Sequence, residues 1–269
     1  MRHETYTHGH APATVRQHAQ RTAEEAAAFL LPELRKGMRV LDVGCGPGSI
    51  TRGLAERAAP GEVVGVDLSQ DTLEAARRDA AERGLDNLRY EEASVYALPF
   101  ADASFDVAYA HQVLQHLRER EAALREMLRV LRPGGWLAIR DIDWETVVYW
   151  PDDPWMDRFV EIHLKTWYRN GGEPAMGRRL RALFNAAGVV DVRVTAAVWC
   201  YTTPVDTLEW GESYAQRLLD SPMGARMIEY GYATRADVEA MAQAFRAWAV
   251  HPDAAWAFTH FEALGRKPG

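Results

Sequence analysis

Residues 40–51 read VLDVGCGPGSIT, and this stretch decides the fold. Its first four residues have the largely apolar character of a buried strand, three glycines follow at positions 44, 46 and 48, and Ser49 opens a helical pattern. Glycines at such a turn let the backbone approach a ligand closely, while the helix N-terminus behind them offers unpaired N–H groups to an acceptor or anion. The stretch therefore predicts a strand, a ligand-binding turn and a helix.

The next strand strengthens the expectation of a nucleoside ligand. Val63–Val66 ends at Asp67, 19 residues after Gly48, and an acid at this place can accept hydrogen bonds from both ribose hydroxyls. This chain departs from the dinucleotide pattern G-x-G-x-x-G at the third glycine, because position 49 is a serine. An NAD-dependent oxidoreductase is one interpretation, which Ser49 and the acid at Asp42 weaken.

Short β-type runs alternate with helical patterns from residue 38 to residue 143. Such alternation is typical of βαβ units and a parallel sheet covered on both faces. The predicted strands are Met38–Val43, Glu62–Val66, Leu88–Glu91, Phe105–Ala110, Trp136–Ile142, Val190–Val198 and Trp256–Leu264. Helices are predicted from a cap at Ser69 to Arg83, around Leu124–Leu131 and over Met176–Ala187.

Four segments follow from these patterns. Residues 1–37 are predicted to form an N-terminal helical lid in which Ala19–Leu34 is helical, and residues 38–205 the ligand-binding core. Residues 206–253 have helical character that a simple sheet connection does not need, so they are predicted to be a helical insertion that covers the acceptor. Residues 254–269 return to the core as its last strand.

Composition limits the class of protein. Hydrophobic residues make up 48% of the 269, no apolar run approaches the ~18 residues of a membrane span, and the first residues lack a signal-peptide core, so a cytoplasmic location is expected. With 38 acidic against 31 basic side chains the net charge is −7, which argues against a nucleic-acid partner. Neither Cys45 nor Cys200 belongs to a pair with metal-ligand spacing, and no metal site is predicted.

The run from Asp42 to Gly48, with Asp67 after it, resembles the class I S-adenosylmethionine (SAM)-dependent methyltransferases of the UbiE-like kind, in which an acid precedes the loop G-x-G-x-G. The phrases Leu98–Phe100 and Ser104–Asp106 also match. The resemblance covers residues 36–140 well and the remainder only in outline. It implies an α/β, Rossmann-like, seven-stranded mostly parallel sheet with helices on both faces and helical lid elements. It also implies SAM as cofactor and S-adenosylhomocysteine as product.

By this resemblance, Gly44 and Gly46 lie against the methionine portion of SAM, Asp67 holds the ribose and Leu68 packs on the adenine. The family usually has an acid that bonds the adenine amino group further on, and here Ser94 stands in its place, where a hydroxyl can still hydrogen-bond. The predicted cofactor-binding residues are Tyr6, Arg21, Asp42, Gly44, Cys45, Gly46, Gly48, Asp67, Leu68, Ala93, Ser94, Val95 and His111.

Two histidines follow the fourth predicted strand, at the sheet edge where ligands of this fold bind. His111 or His116 could take a proton from an acceptor hydroxyl. Some sugar O-methyltransferases similar to this chain use a histidine at the place of His116 and an acid at the end of the fifth strand, here Asp141. The catalytic candidates are therefore His116, His111 and Asp141, although His111 could only line the SAM pocket and His116 could be a core residue.

The favoured function is methyl transfer to a small or medium-sized acceptor, by O-methylation of a metabolite or natural product. A peptide carboxylate is a second acceptor, with Arg16, Arg21 and Arg169 as anchors, and a non-catalytic SAM-binding protein is a further alternative. Nine tryptophans concentrate outside the nucleotide-binding half, which suggests that Trp144, Trp150 and Trp167 build an apolar acceptor pocket. The chain is expected to be a monomer or a homodimer.

Overall fold

The computed structural model describes residues 18–269, and a seven-stranded sheet forms its centre. The strands are β1 (Val40–Val43), β2 (Val63–Asp67), β3 (Leu88–Glu92), β4 (Phe105–His111), β5 (Leu131–Trp150), β6 (Val190–Tyr201) and β7 (Ala255–Arg266). Their order across the sheet is β3-β2-β1-β4-β5-β7-β6. All seven predicted strands are confirmed, although β5 is longer at both ends than its apolar run indicated.

Six strands run in the same direction, and β7 runs antiparallel to its neighbours β5 and β6. Val40 is level with Val63 of β2 and with Val107 of β4, so the carboxyl ends of β1, β2 and β4 meet at one edge. β1 and β4 are buried along their whole length, as strands covered on both faces should be. This edge gathers the residues that follow each strand.

Nine α-helices surround the sheet within the described residues. They are α1 (Ala23–Ala26), α2 (Ser49–Ala58), α3 (Gln70–Glu82), α4 (Arg120–Val130), α5 (Pro154–Arg169), α6 (Leu180–Ala186), α7 (Pro204–Asp220), α8 (Pro222–Glu229) and α9 (Arg235–Ala249). The predicted cap is confirmed, since the Ser69 hydroxyl accepts the Thr72 N–H at the start of α3. Across residues 18–269, no helix combines the length and the apolar content needed to cross a membrane.

The helix predicted over Ala19–Leu34 is wrong for most of its length. Within this range only Ala19 and Ala23–Ala26 are α-helical, and the apolar residues after Ala26 continue as turns. Leu30 is nevertheless fully buried against the sheet, so the apolar pattern reflected burial rather than helical periodicity. α5, which contains Trp155 and Trp167, was not predicted, because its aromatic residues obscure the helical repeat.

The segment after β6 forms a helical layer, α7 to α9, over the outer parts of β5 and β7. Its core is aromatic, and Trp144 and Trp256 of the sheet are buried against Tyr214 of α7 and Phe245 of α9. Because aromatic rings bury large areas, these contacts stabilise the helical layer against the sheet. The helical character predicted for residues 206–253 is confirmed, and their action as a lid stays a prediction.

Candidate active site

The glycine-rich turn after β1 has the conformation that its sequence predicted. Gly44, Gly46 and Gly48 all have positive φ, at 71°, 53° and 77°, a region that side chains with a Cβ disfavour. A Cβ at Gly44 would lie 2.5 Å from Val113, whereas the space next to the Cβ position of Gly46 is open to 4 Å. The turn thus presents a bare backbone to an open space in which a ligand can lie.

Gly48 has a different role from the other two glycines. It caps the N-terminus of α2, and a Cβ there would lie 2.2 Å from the Tyr90 hydroxyl. It is not among the described residues that line the cavity beside the turn. The described cavity is lined by its neighbours Pro47 and Ser49, and the prediction that Gly48 contacts the cofactor stays a prediction.

Asp67, at the end of β2, ties the turn to the sheet. Its carboxylate accepts the N–H groups of Gly46 and Ser69, both at 3.0 Å. Leu68 beside it is 65% exposed. A carboxylate and an uncovered apolar side chain side by side match the ribose and adenine of a nucleoside.

Asp42 lies beneath the turn and is almost completely buried. Thr51 donates a hydrogen bond of 2.6 Å to its carboxylate. Burial raises the pKa of Asp42 to about 7, with a smaller contribution from the charge of Asp67, while the Thr51 hydrogen bond opposes the shift. The charge on Asp42 therefore changes near neutral pH. Burial likewise raises the pKa of the Cys45 thiol, which remains neutral.

Ala93, Ser94 and Val95 follow β3 and reach the same cavity. The Ala93 N–H donates to the Asp67 carbonyl at 3.1 Å, and the Ser94 hydroxyl accepts the Tyr96 N–H at 3.3 Å. These hydrogen bonds hold the Ala93–Val95 turn. In the methyltransferases that the sequence resembles, this position carries the acid that binds adenine.

His111 ends β4 and lines the cavity with 7% of its surface exposed. Within the described part of the chain, neither ring nitrogen has a hydrogen-bond partner. The ring stacks on His260, with centroids 6.0 Å apart. Burial lowers the pKa of His111 well below its usual range, and the charges of Arg21 and Arg140 lower it further, so the ring is neutral.

His116 lies in a 3-10 turn, Leu114–His116, and also lines the cavity. Gln115 accepts the Ile142 N–H through Oε1, which directs its Nε2 toward His116 Nε2 at 3.1 Å. The imidazole therefore carries its proton on Nδ1. Its ring stacks on Trp167, and burial lowers its pKa to about 3.

Asp141 lies inside β5 rather than at the end of the strand, and it is absent from the described lining of the cavity. Neighbouring side chains point to opposite faces of a strand, and its neighbour Arg140 lies over Trp199 on one face. Burial raises the pKa of Asp141 well above its usual range. The backbone amides of Gln115 and Leu114, on the other face of the strand, partly oppose this rise. Asp141 was predicted at the end of this strand, and that placement is wrong; its catalytic role stays a prediction.

Arg21 lines the cavity, with its guanidinium carbon 5.3 Å from the centre of the Trp199 ring. Tyr6 and Arg16, predicted as cofactor and peptide contacts, lie outside the described residues. Arg169 is exposed on the outer surface, where it stacks 4.2 Å above Tyr230. Nothing in its position favours an anchor for a peptide carboxylate.

One continuous cavity joins the glycine-rich turn to the helical layer. The described residues that line its cofactor half are Arg21, Asp42, Val43, Gly44, Cys45, Gly46, Pro47, Ser49, Ile50, Asp67, Leu68, Thr72, Ala93, Ser94, Val95 and Tyr96. Its aromatic half, the term used below, is lined by Ile142, Trp144, Trp210, Tyr214, Arg217 and Phe258. The rest of the described lining consists of His18, His111, Gln112, Val113, Gln115, His116, Leu117 and Trp199.

Of the three tryptophans predicted to build the acceptor pocket, only Trp144 lines the cavity; that the acceptor binds there stays a prediction. Trp167 is fully buried behind the wall and stacks on His116, while Trp150 is 55% exposed on the outside. Trp210, Tyr214 and Arg217 also line the cavity and were not predicted from the sequence. Their spacing of i, i+4 and i+7 within an expected helix was the signal that could have identified them as one face.

Known proteins share both the sequence and the fold. The family model described as Methyltransferase domain matches residues 41–139. The probable methyltransferase ltbC of Aspergillus luteorubrus is 31% identical over 284 residues, which cover 97% of each chain. O-methyltransferase cnsE of Penicillium expansum is 31% identical over 79% of this chain and 75% of the relative. The YcgJ protein of Bacillus subtilis superposes with a TM-score of 0.60 at 22% identity, over 91% of this chain and 99% of that one.

The likeness to ltbC extends over the helical layer as well as the glycine-rich turn. The likeness to YcgJ shows that the seven-stranded sheet is the fold of a solved protein. An NAD-dependent oxidoreductase is not supported by any of these relatives. The chain belongs to the class I SAM-dependent methyltransferases, as residues 40–51 and Asp67 predicted.

Proposed function

We propose that this methyltransferase transfers the methyl group of SAM to an oxygen atom of a small or medium-sized acceptor in natural-product metabolism. The observation that carries the proposal is the continuous cavity, which joins Asp67 and the glycine-rich turn to the aromatic half and is also lined by two neutral imidazoles, His111 and His116. The O-methyltransferase among the relatives supports oxygen as the acceptor atom.

The residues of the cofactor half fit SAM. We assign the ribose hydroxyls to Asp67, the adenine to Leu68 and the Ala93–Val95 turn, and the methionine portion to Gly44, Cys45 and Gly46. Arg21 would meet the methionine carboxylate. Asp42 would place a negative charge near the cationic groups of the cofactor, which favours the ionised carboxyl.

Bound SAM supplies a methyl group activated by its positive sulfur. The chain then has to align the acceptor oxygen with that methyl group, and such alignment alone can supply up to roughly 7–11 kcal/mol in the best model systems. His111 takes the acceptor proton in this proposal, because it lines the cavity and neither of its ring nitrogens has a hydrogen-bond partner among the described residues. His116 instead orients the acceptor, since its Nε2 already accepts from Gln115.

The test is product formation by the purified protein. With SAM and a panel of phenols, we expect S-adenosylhomocysteine and a methyl ether in equal amounts by mass spectrometry. His111→Asn should lower kcat on the order of 10²-fold while SAM affinity stays within a factor of about three, because a general base contributes 10²–10⁴-fold. The exposed His251→Asn is the matched control.

Two outcomes would contradict the proposal. Methylated carbon or nitrogen without any methyl ether would exclude oxygen as the acceptor atom. An unchanged kcat in His111→Asn would show that His111 is not the general base. Alignment of the acceptor would then account for catalysis without it.

A further inference from the structure

Gln112 follows β4 in a strained backbone conformation. Its φ is 56°, in the left-handed region that residues with a Cβ seldom adopt. The Gln112 N–H donates to the Arg140 carbonyl of β5 at 2.7 Å, and this hydrogen bond helps to hold the chain in place. Backbone strain of this kind clusters at functional sites, where it directs a side chain as a regular strand would not.

The side-chain amide of Gln112 is oriented by His260 of β7. Its Nε2 lies 2.7 Å from the Nε2 of His260. His260 is fully buried, and burial lowers its pKa well below the usual range, with smaller contributions from the charges of Arg140 and Arg21. The ring is therefore neutral, and its Nε2 accepts the amide N–H. The other amide atom, Oε1, receives no hydrogen bond from any described residue.

His111 meets the same imidazole. Its ring stacks on the ring of His260 with centroids 6.0 Å apart, while Gln112 bonds to the edge of that ring. Both residues line the cavity. His111 is only 7% exposed, and within residues 18–269 its two ring nitrogens have no partner. Two consecutive polar side chains, both in contact with one ring of β7, thus line the cavity with unused hydrogen-bonding capacity.

This unused capacity calls for two polar groups on the ligand. A neutral imidazole offers one donor and one acceptor, whereas the amide oxygen only accepts. A ligand with a single hydroxyl at His111 would exclude water and leave Oε1 without a donor, which costs free energy. A second hydroxyl beside the first supplies that donor. Because an amide and a neutral imidazole provide no counter-charge, they favour a hydroxyl over an ammonium group.

We propose that Gln112 determines acceptor specificity: its Oε1 accepts a hydrogen bond from a second hydroxyl of the acceptor, adjacent to the hydroxyl that meets His111. The acceptor is then a compound with two hydroxyls on neighbouring carbon atoms. The proposal rests on the proposed O-methylation, whose acceptor it specifies. His260 is a positioning residue, since it fixes the orientation of the Gln112 amide.

Binding tests the assignment without requiring turnover. Calorimetry in the presence of S-adenosylhomocysteine would compare 1,2-dihydroxybenzene with phenol, 2-methoxyphenol and 1,4-dihydroxybenzene. A second series would compare 2,3-dihydroxynaphthalene with 2-naphthol, 3-methoxy-2-naphthol and 2,6-dihydroxynaphthalene. In at least one series we expect the adjacent diol to bind about tenfold more tightly than each of the other three compounds. The methoxy compound occupies the same space without the donor, and the distant diol has the same number of hydroxyls.

Variants locate the effect at the amide. Gln112→Met retains the length of the side chain and removes the amide, so the ratio of adjacent-diol affinity to phenol affinity should fall to about one. Gln112→Glu retains an oxygen acceptor and should keep the preference for the diol. His260→Phe removes the nitrogen that orients the amide and should lower the ratio, whereas the exposed His251→Phe is its matched control. Unchanged affinity for S-adenosylhomocysteine would show that each variant is folded.

The outcomes separate this proposal from the one on which it rests. Equal affinity for the adjacent diol and for phenol, no binding in either series, or an undiminished ratio in Gln112→Met would overturn the assignment of Gln112. A methyl ether formed from phenol without any preference for the diol would do the same while leaving O-methylation intact. Tenfold tighter binding of the diol without methyl ether from any acceptor would contradict O-methylation alone. The wild-type comparison needs no variant, so a variant that fails to fold does not prevent a decision.

Discussion

In the proposed site, Asp42 would couple proton uptake by the protein to the charge of the cofactor. Burial raises its pKa to about 7, so the carboxyl group is protonated below neutral pH in the free protein. SAM is cationic at its sulfur and favours the ionised form. We therefore expect SAM affinity, measured by calorimetry between pH 5.5 and 8.5, to be highest above about pH 7. Below that pH it should fall by up to about tenfold per pH unit.

Two substitutions isolate this effect. Asp42→Asn should weaken SAM binding above pH 7 and flatten the dependence. Thr51→Val removes the hydroxyl that stabilises the carboxylate, so it should move the midpoint to higher pH. If wild type and Asp42→Asn gave parallel curves, the titrating group would have to be sought elsewhere.

Helices α7 and α9 set the width of the aromatic half, because they touch where Gly211 lies. A Cβ at Gly211 would be 2.6 Å from the Phe245 carbonyl and 2.6 Å from the Ala249 Cβ. Gly211→Ala should therefore push α7 outward and lower the free energy of unfolding by about 1–3 kcal/mol. We expect acceptor KM to rise several-fold while SAM affinity, measured by calorimetry, changes little.

A variant that loses a helix cap is the control, because it should lower the free energy of unfolding without displacing α7. Thr234→Ala removes the capping box of α9 and should cost about 1 kcal/mol, with α7 left in place. If it raised acceptor KM as much as Gly211→Ala does, general loosening of the layer would explain both results.

The elements that could be predicted from sequence are those with a simple burial pattern. β1, β2 and β4 are buried on both faces, and their apolar runs gave their positions to within about two residues. α5 was not predicted because aromatic residues occur on both of its faces. Its buried face includes Met156, Phe159 and His163, while Trp155 and Tyr168 are exposed.

The site was predictable to the same uneven degree. The turn at Gly44 and Gly46 and the acid at Asp67 are close in sequence to the strands that place them, so local spacing was enough. The aromatic half draws Trp144 from β5, Arg217 from α7 and Phe258 from β7, which only the sheet order brings together.

For the molecule as a whole, buried histidines make acid the main threat to stability. Burial lowers the pKa of four of them, His111, His116, His163 and His260. Their folded-state pKa lies below the unfolded value of about 6.5, so the unfolded chain binds more protons below that pH and stability falls. Asp42 and Asp141, whose pKa values are raised, act in the opposite direction and partly offset the loss.

The net expectation is an unfolding free energy that falls as the pH drops from about 6.5 toward 5, by about 1.4 kcal/mol per pH unit for each net proton. Urea unfolding at a series of pH values measures it. His163→Gln should reduce the slope by roughly one proton, whereas the exposed His251→Gln should leave it unchanged. A stability that stayed flat from pH 7.5 to 5 would contradict this account.

The place of β7 has a consequence for synthesis of the chain on the ribosome. β7 is made last yet lies between β5 and β6, so neither of these strands can acquire that partner until residues 255–266 have emerged. Until then Trp144, Trp210 and Tyr214 lack the Trp256 and Phe258 side chains against which they pack. From the synthesis of Trp210 and Tyr214 until β7 has emerged, the nascent protein must therefore carry an uncovered aromatic surface, which exposes it to aggregation at this stage.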